Sequence, residues 1–312
     1  MQAIFDVALP VFAIVLCGYL AGRTKILGLG MSEALNGFTY YFALPALFFI
    51  ATARTPIAQI LDWPFLATTL SGICIVYALS YAIATFAFRD SMGARGLHAL
   101  AAIFANTGYM GVPLFVAAFG EQGTVPAILS AVSQSMTILL VSIALIELDA
   151  SQSTSRLGIA RDMFYGIVGN PLLIASAAGI ALNLSGLGVP TAFETFFKLL
   201  GAAAGPCALF AVGLFMVGKK LSAGMGEVAV ITVAKLLVLP AVTWLLGAYV
   251  FDLSDTGVRD ATLASSLPTG ALVFVLAQKY NVFVERTSAA VLATTVLSVI
   301  TVSAVMIIFG VR

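Results

Sequence analysis

Residues 106–113 have the sequence Asn106-Thr107-Gly108-Tyr109-Met110-Gly111-Val112-Pro113 and lie in the middle of a long apolar stretch. A proline within a helix lacks the backbone N–H that the helix needs, and its ring collides with the carbonyl four residues earlier. Gly108 and Gly111 add backbone freedom just before Pro113. The pattern predicts a helix that is interrupted halfway along its length. If this helix crosses a membrane, its unpaired backbone groups must be buried in protein or line a cavity.

The composition requires a membrane. Of the 312 residues, 61% are apolar and only 9% are charged, and the mean hydropathy is +1.08. A soluble domain carries about 25% charged residues, so the surplus of apolar surface must face lipid. The net charge of +1 gives no reason to expect a nucleic-acid partner, which needs a basic face. We therefore expect an all-α integral membrane protein.

Ten apolar stretches are long enough to cross a bilayer, whose core needs about 20 apolar residues in helical form. They cover residues 3–22, 33–52, 64–88, 98–119 and 124–147 in the first half, and 163–184, 195–218, 226–251, 260–279 and 286–310 in the second. This division predicts two five-helix units, residues 1–150 and 163–312, joined by a short linker over residues 151–162.

The basic residues predict the orientation, because cytoplasmic loops carry an excess of lysine and arginine. One set of loops contains Arg23, Lys25, Arg89, Arg95, Arg156, Arg161, Lys219, Lys220, Lys279 and Arg286. The other face has only Arg54, Lys198, Arg259 and Arg312. The first face, which includes the linker, is therefore expected to be cytoplasmic, with both termini outside.

The two halves are faintly related at a spacing of about 160 residues. Pro10, Gly18 and Pro45 match Pro171, Gly179 and Pro206 at an offset of 161, and Gly111, Phe115, Val116 and Ala118 match Gly270, Phe274, Val275 and Ala277 at 159. Because each half has an odd number of helices, the second half must be inverted, which is typical of secondary transporters. The alternative is that prolines simply recur, since they are fairly common in membrane helices.

A second interruption is predicted in the ninth stretch, which contains Ser265-Ser266-Leu267-Pro268-Thr269-Gly270. The fourth helix should run outward and the ninth inward, so the two breaks can cross at the middle of the membrane. Two half-helices would then point their N-termini at one place, where free N–H groups and positive dipole ends favour an anion such as a carboxylate. The alternative is a pair of proline kinks that only shape the packing.

Two further polar side chains lie inside predicted spans. Gln134 is at the centre of the fifth span, where its amide could contact substrate or bond to a neighbouring helix. Lys235 is the only full charge well within a span, which makes it a candidate anion attractant or a cation that balances the site, unless it snorkels to the surface. The candidate substrate-binding residues are Asn106, Thr107, Gly108, Tyr109, Gly111, Pro113, Gln134, Lys235, Ser265, Ser266, Pro268, Thr269 and Gly270.

The sequence lacks the residues that an enzyme, a metal site or a channel would need. His98 is the only histidine, and one histidine makes neither a zinc site nor a catalytic triad, so we expect no enzyme, metal site or cofactor. A channel needs a continuous polar pore lining, whereas the polar residues here cluster at mid-depth. No Asp or Glu lies at the centre of a predicted span. Energy coupling is thus left to the membrane potential or to a cation held by backbone carbonyls.

The ten spans and the two breaks resemble the auxin efflux carrier family, which includes plant PIN auxin exporters and bacterial malonate-permease-like proteins. The resemblance covers essentially the whole chain, and it is carried by Asn106-Thr107-Gly108 with Gly111 and Pro113 and by Pro268-Thr269-Gly270. It implies that helices four and nine cross and that a carboxylate of an organic anion binds there. It also implies elevator-type alternating access, with a scaffold of helices one, two, six and seven, usually dimeric, and a mobile transport domain.

By the same resemblance, Asn106 and Gln134 fall where plant members contact substrate. The chain departs from those members at Leu267, where they carry an asparagine, and Ser265, Ser266 or Thr269 could replace the missing amide. This departure and the short linker favour a bacterial carrier in the inner membrane over an auxin exporter. The expected partners are the lipid bilayer, a small organic anion and a second copy of the chain. The alternative is a sodium-coupled organic-anion symporter of the bile-acid type, which also uses crossed broken helices.

Overall fold

The computed structural model describes residues 9–28, 30–131, 134, 169–218 and 224–311. These residues are mostly helical, and none of them lies in a β-strand, which confirms the prediction of an all-α protein for this part of the chain. Most of the predicted fifth span, the linker over 151–162 and the start of the sixth span lie outside the described residues.

Several of the described helices suit a membrane. Six are long and apolar enough to cross one, namely Met31–Arg54, Ile57–Phe88, Thr107–Ala131, Thr191–Met216, Met225–Tyr249 and Val284–Ile308. Shorter apolar helices cover Leu9–Arg23 and Pro171–Ser185. The lengths and compositions of these helices therefore agree with a protein that crosses the membrane several times.

The helices are labelled in chain order. In the first half they are α1 (Leu9–Arg23), α2 (Met31–Arg54), α3 (Trp63–Ile83, continued by a π-helical turn over Ala84–Phe88), α4 (Met92–Ile103), α5 (a π-helical turn over Thr107–Gly111 followed by Val112–Phe119) and α6 (124–131). In the second half they are α7 (Pro171–Ser185), α8 (Thr191–Ala202), α9 (Ala204–Met216), α10 (Met225–Tyr249), α11 (Asp255–Ser266), α12 (Leu272–Tyr280) and α13 (Val284–Ile308).

Three π-helical turns each end two residues before a proline. They cover Thr39–Ala43 before Pro45, Thr107–Gly111 before Pro113, and Ala234–Val238 before Pro240. A regular helix would press each proline ring against a carbonyl one turn earlier, and the wider turn relieves that contact without ending the helix. The prolines therefore produce widened turns, and Tyr40, Tyr109 and Lys235 lie within them.

Two helix pairs pack closely through glycine, α1 against α9 and α7 against α2. A Cβ at Gly18 would lie 2.1 Å from the Phe210 carbonyl oxygen, and a Cβ at Gly179 would lie 2.5 Å from the Phe49 carbonyl oxygen. Both the glycines and the phenylalanines are 161 residues apart. The two glycines matched in the sequence therefore occupy corresponding contacts, where any side chain would force the helices apart.

Buried apolar side chains form two clusters that meet near residues 104–106. One cluster draws on α1, α2, α5 and α9, with Phe115 and Leu209 among its largest members. The other draws on α3, α4, α10 and α12. Ala105 belongs to the first cluster and Phe104 to the second. The segment that follows α4 therefore lies where the two halves of the hydrophobic core join.

Candidate functional site

The interruptions in the fourth and ninth predicted spans meet in space. Residues 104–106 separate α4 from α5, and residues 267–271 separate α11 from α12. Residues 104–106 face residues 268–270 in antiparallel fashion, with Ala105 opposite Thr269. We call these two facing segments the crossover.

Backbone hydrogen bonds hold the crossover together. The Asn106 N–H donates to the Pro268 carbonyl at 2.8 Å, and the Gly270 N–H donates to the Phe104 carbonyl at 2.9 Å. Backbone N–H and C=O groups in each interruption are therefore paired with backbone groups of the other interruption. This pairing answers the requirement that backbone at membrane depth be buried in protein.

The interruption in the fourth span lies earlier than its sequence predicts. The pattern around Gly108 and Pro113 predicts a break at those residues, whereas the structure has it at residues 104–106. The π-helical turn that follows directs the N–H groups of Met110 and Gly111 to the Asn106 carbonyl, at 2.9 and 3.0 Å. Pro113 then falls in the first turn of the next regular helix, where a missing N–H costs little.

Glycine is needed at the crossover for close packing. A Cβ at Gly111 would lie 2.7 Å from Leu267 Cδ1, and a Cβ at Gly270 would lie 2.8 Å from the Phe104 ring. Contacts this short require the neighbour to move. These two predicted site residues therefore let the broken helices approach each other.

Gln134 hydrogen-bonds to the crossover from the fifth span. Its Oε1 accepts the Ala105 N–H at 2.7 Å, and its Nε2 donates to the Ser130 carbonyl at 3.1 Å. Gln134 is 3% exposed. Of the two roles considered for this amide, the structure has the bond to a neighbouring segment, which satisfies the Ala105 N–H just beyond the end of α4.

Replacing Gln134 by methionine, which has a similar length and no amide acceptor, should leave the Ala105 N–H without its partner. We expect the free energy of unfolding to fall by about 1–3 kcal/mol, measured as a lower midpoint of denaturation of the purified protein. The same replacement at the exposed Gln59 is the control and should leave the midpoint nearly unchanged. Equal midpoints for wild type and Gln134→Met would contradict the assigned role.

Thr269 is bound on both sides of the crossover. Its N–H donates to Thr294 Oγ1 of α13 at 3.1 Å, and its hydroxyl donates to the Ala101 carbonyl of α4 at 2.7 Å. Both groups are buried. Thr269 therefore ties the ninth-span break to two other helices, and its hydroxyl is already in use.

Lys235 lies behind the crossover and is 0% exposed. Its Nζ donates to the Ser265 carbonyl at 2.6 Å, in the last turn of α11, where the negative end of a helix dipole favours a cation. A small cavity beside Ser265 is also lined by Ala105 and Gln134. The amine therefore does not snorkel to the surface, and it lies close to the ninth-span break.

The helices that start at the crossover begin with unpaired donors. In the part of the chain that the structure describes, the N–H groups of Gly108 and Tyr109 have no hydrogen-bond partner, and neither do those of Ala271 and Leu272. Unpaired donors are usual at a helix N-terminus, and each end also carries the positive end of a dipole. Both helices start close to the crossover segments, at residues 107 and 272.

Other polar groups lie at the start of α5. Asn106 is 5% exposed, and its side-chain amide has no partner among the described residues; the hydroxyl of the buried Thr107 likewise has none there. Tyr109 lies near Tyr40 and Tyr41 of α2. A polar region with unused donors therefore adjoins the N-terminus of α5.

The remaining predicted site residues are used within α11. The Ser265 and Ser266 hydroxyls donate to the Thr262 and Leu263 carbonyls, each at 2.8 Å. The structure does not bring these hydroxyls to the helix N-termini. Across the described ranges, no cluster of three or more His, Cys, Asp or Glu residues could hold a metal ion.

Thr294, Tyr40 and Tyr41 are parts of this region that the sequence patterns do not single out. A threonine in an apolar helix gives no signal by itself, because its hydroxyl can bond within the helix. Tyr40 has a signal in principle. It lies five residues before Pro45, and Lys235 likewise lies five residues before Pro240. Each residue is the second of the π-helical turn that precedes its proline.

Comparison with known proteins gives a consistent result. The family described as membrane transport protein matches residues 3–306. A protein of Rhizobium meliloti (strain 1021) named "Putative malonate transporter" is 32% identical over 98% of this chain and 96% of its own length. The mouse lysosomal cholesterol signaling protein is 30% identical over 95% of this chain and 36% of its own length. Auxin efflux carrier component 8 of Arabidopsis thaliana is 22% identical over 93% of this chain and 92% of its own length.

The matches extend over nearly the whole chain, so they include both breaks and the helices around them. The family description and the names of the bacterial and plant relatives are those of transporters, which agrees with the expectation that the chain is not an enzyme. The chain belongs to the membrane transport protein family, the auxin efflux carrier family that its two breaks resemble.

Proposed function

We propose that this transporter moves a small organic anion, and that a carboxylate of the anion binds beside the crossover at the N-termini of α5 and α12. The observation that carries the proposal is the set of unpaired N–H groups, Gly108 and Tyr109 in one helix and Ala271 and Leu272 in the other. Helix N-termini bind carboxylates readily because the donors and the dipole act together. The buried amide of Asn106 supplies a further donor.

The available charges favour an anion with one or two carboxylates. Each helix N-terminus is equivalent to about half a positive charge, and a protonated Lys235, whose Nζ donates to the Ser265 carbonyl, would add a full charge behind the crossover. Together these groups balance about two negative charges. Malonate fits that total, and the relative from Rhizobium meliloti has malonate in its name.

The transporter works by an elevator mechanism and is built from two inverted repeats. The glycine contacts of α1 with α9 and of α7 with α2 support the repeats, because exchanging residues 161 positions apart converts the Gly18–Phe210 contact into the Gly179–Phe49 contact. Such exchange is expected when two inverted copies of one unit form a protein. In this scheme α1, α2, α7, α8 and α9 are the scaffold, and the remaining helices carry the crossover.

The protein lies in the bacterial inner membrane with both termini outside and forms a homodimer through its scaffold. The excess of basic residues in one set of loops supports the orientation. Large apolar side chains of α1 and α8, such as Leu20, Phe193 and Leu199, are exposed. Such side chains need lipid or another subunit as their neighbour.

A thermal-stability assay on the purified protein tests the anion site. Malonate at about 100 times its Kd adds about 2.7 kcal/mol to the stability of the folded state, so the Tm of the wild type should rise. The Asn106→Ala variant should lose most of this shift, because it lacks the buried amide donor. Dimethyl malonate, which has the same carbon skeleton and no carboxylate, should not shift the wild type.

The protein control is Asn36→Ala, which removes a partly buried amide of α2 and should keep the malonate shift. A shift that requires sodium would support the sodium-coupled symporter alternative. If no member of a panel of small carboxylates shifts the wild type while neutral solutes do, the anion site is wrong.

A further inference from the structure

A buried group of ionisable side chains links the start of α10 and the start of α13 to α4. His98 Nδ1 lies 2.7 Å from Glu227 Oε1. Arg286 binds Glu227 and also Asp90, the latter through two nitrogens at 2.7 and 3.1 Å. The exposed fraction of the side chain falls from 33% for Arg286 and 19% for Asp90 to 3% for Glu227 and 0% for His98. The contacts therefore lead from the protein surface to a wholly buried imidazole.

The charges of this group do not balance while His98 is neutral. Two carboxylates, Asp90 and Glu227, then face one guanidinium, that of Arg286. A buried charge without compensation is costly, and protonation of the His98 ring removes the excess negative charge. Histidine is the side chain that gains and loses a proton nearest physiological pH. The group is therefore built to take up one proton.

The surrounding groups leave this balance in place. The other titratable or charged residues with described side chains on the elements packed around α4 are Arg89, Arg95, Cys74, Tyr77, Tyr81, Lys235, Tyr280 and Glu285. Arg89 and Glu285 are exposed to the surroundings. Arg95 Nε donates to the Asp90 backbone carbonyl at 2.7 Å rather than to a carboxylate. Lys235 lies two turns beyond Glu227 on α10. Its amine is bound to the Ser265 carbonyl of α11.

The His98 ring has one nitrogen to spare. Its Nε2 is buried and has no hydrogen-bond partner within the described ranges, and the neighbouring rings of Phe88 and Phe283 are apolar. A histidine that only joined helices would be expected to have both ring nitrogens satisfied. With Nδ1–H donating to Glu227, Nε2 is an acceptor for an incoming proton, and Glu227 becomes the counter-ion of the imidazolium.

We propose that His98 and Glu227 form a proton-binding site of this transporter, and that its proton is coupled to the anion bound at the crossover. The coupling rests on the proposed anion-carrier function. Both sites use α4, because His98 lies one turn before Ala101, whose carbonyl accepts the Thr269 hydroxyl. His98 is about 9 Å along the helix from Phe104, whose carbonyl accepts the Gly270 N–H.

One rigid helix thus joins the proton site to the anion site. By linkage, if proton binding raises the affinity of the protein for the anion, anion binding raises its affinity for the proton by the same factor. The sign of this coupling follows from charge, since a proton on His98 makes this side of the protein less negative. Anion binding should therefore be accompanied by proton uptake, and a proton gradient should drive the anion.

The proton site can be observed directly, because His98 is the only histidine in the chain. Labelling with 15N-histidine, with a purification tag free of histidine, gives ring signals from this residue alone. The ring signals are followed over a pH series, in which the imidazole should be seen in both its neutral and its protonated form. In Glu227→Gln, protonation should require a lower pH, since the imidazolium loses its counter-ion. A ring that keeps one protonation state throughout the series overturns the proton site.

Coupling is tested with malonate in weakly buffered solution at the midpoint of the titration. The wild type should take up about one proton per chain more than His98→Gln, which retains an N–H donor near Glu227 and cannot be protonated. In proteoliposomes an imposed proton gradient should raise malonate uptake several-fold in the wild type and leave His98→Gln unchanged. The control is Glu194→Gln, which removes an ion-paired carboxylate of α8 and should behave as the wild type.

The two proposals fail in different ways. If malonate gives neither a thermal shift nor uptake, the malonate assignment fails, and the ring titration alone decides whether the proton site exists. If malonate binds and the wild type and His98→Gln take up equal numbers of protons, the coupling is overturned while the anion site stands.

Discussion

Replacement of Lys235 by methionine should remove most of the affinity for malonate and leave the protein folded. The Lys235 amine is wholly buried and has one hydrogen bond, to the Ser265 carbonyl at 2.6 Å. A buried charge with so little compensation often costs more free energy than it returns, so methionine should keep or raise the Tm. The anion loses a full positive charge behind the crossover. We expect the Kd for malonate to rise at least tenfold, which corresponds to a loss of about 1.4 kcal/mol of binding free energy.

This combination of effects separates a functional lysine from a structural one. The Kd is measured by calorimetric titration and the Tm by thermal unfolding without ligand. The control is Lys198→Met on α8, where the amine is 42% exposed and lies 3.1 Å from Glu194; exposed pairs contribute little, so both quantities should stay near the wild type. A Lys235→Met variant that melts much earlier and binds malonate normally would show that Lys235 only stabilises the fold.

The breaks could be predicted from the sequence because proline and glycine act locally. The ninth-span break falls on the predicted stretch, at residues 267–271. The fourth-span break lies before Gly108. The π-helical turn over Thr107–Gly111 lets the helix continue through Pro113, and it directs two N–H groups to the Asn106 carbonyl. Whether a proline ends a helix or widens a turn depends on the neighbours of the carbonyl that it displaces, and those neighbours come from distant segments.

The matched glycines of the two halves were informative for a similar reason. A glycine on a membrane helix often marks a close approach of another helix, and Gly18 and Gly179 both have such contacts. The sequence alone could not name the helices that approach. Those partners, α9 for Gly18 and α2 for Gly179, depend on how the two halves fold around each other.

The group around His98 could not be predicted from the sequence. His98 and Glu227 are 129 residues apart, and Arg286 is 196 residues from Asp90. The absence of acidic residues from the centres of the predicted spans left energy coupling to the membrane potential or to a cation held by backbone carbonyls. Glu227 lies in the first turn of α10 and is nevertheless 3% exposed, because α4 and α13 cover it. Burial of an ionisable group follows from packing, and position within a span is a poor guide to it.

A disulfide between α5 and α9 should stop transport completely and reversibly. The Cβ of Pro113 lies 3.1 Å from the position that a Cβ would take at Gly205, slightly closer than the roughly 3.5–4.5 Å of a disulfide. In the elevator scheme α5 moves and α9 is fixed, so this bond holds the moving part to the scaffold. In a chain with Cys17, Cys74 and Cys207 replaced by alanine, Pro113→Cys with Gly205→Cys should transport malonate into proteoliposomes when reduced. Oxidation should lower uptake to background, and dithiothreitol should restore it.

A disulfide within the scaffold is the matched control for this experiment. A Cβ at Gly22 would lie 3.6 Å from the Cβ of Val217, so Gly22→Cys with Val217→Cys joins α1 to the end of α9. Both of these elements are fixed in the elevator scheme, and this bond should leave transport nearly unchanged. If the oxidised pair at positions 113 and 205 still transports, α5 does not move against α9 and the elevator proposal is wrong. If oxidation stops transport in the chain with cysteines at 113 and 205 but not in the chain with cysteines at 22 and 217, the motion takes place at the surface between α5 and α9.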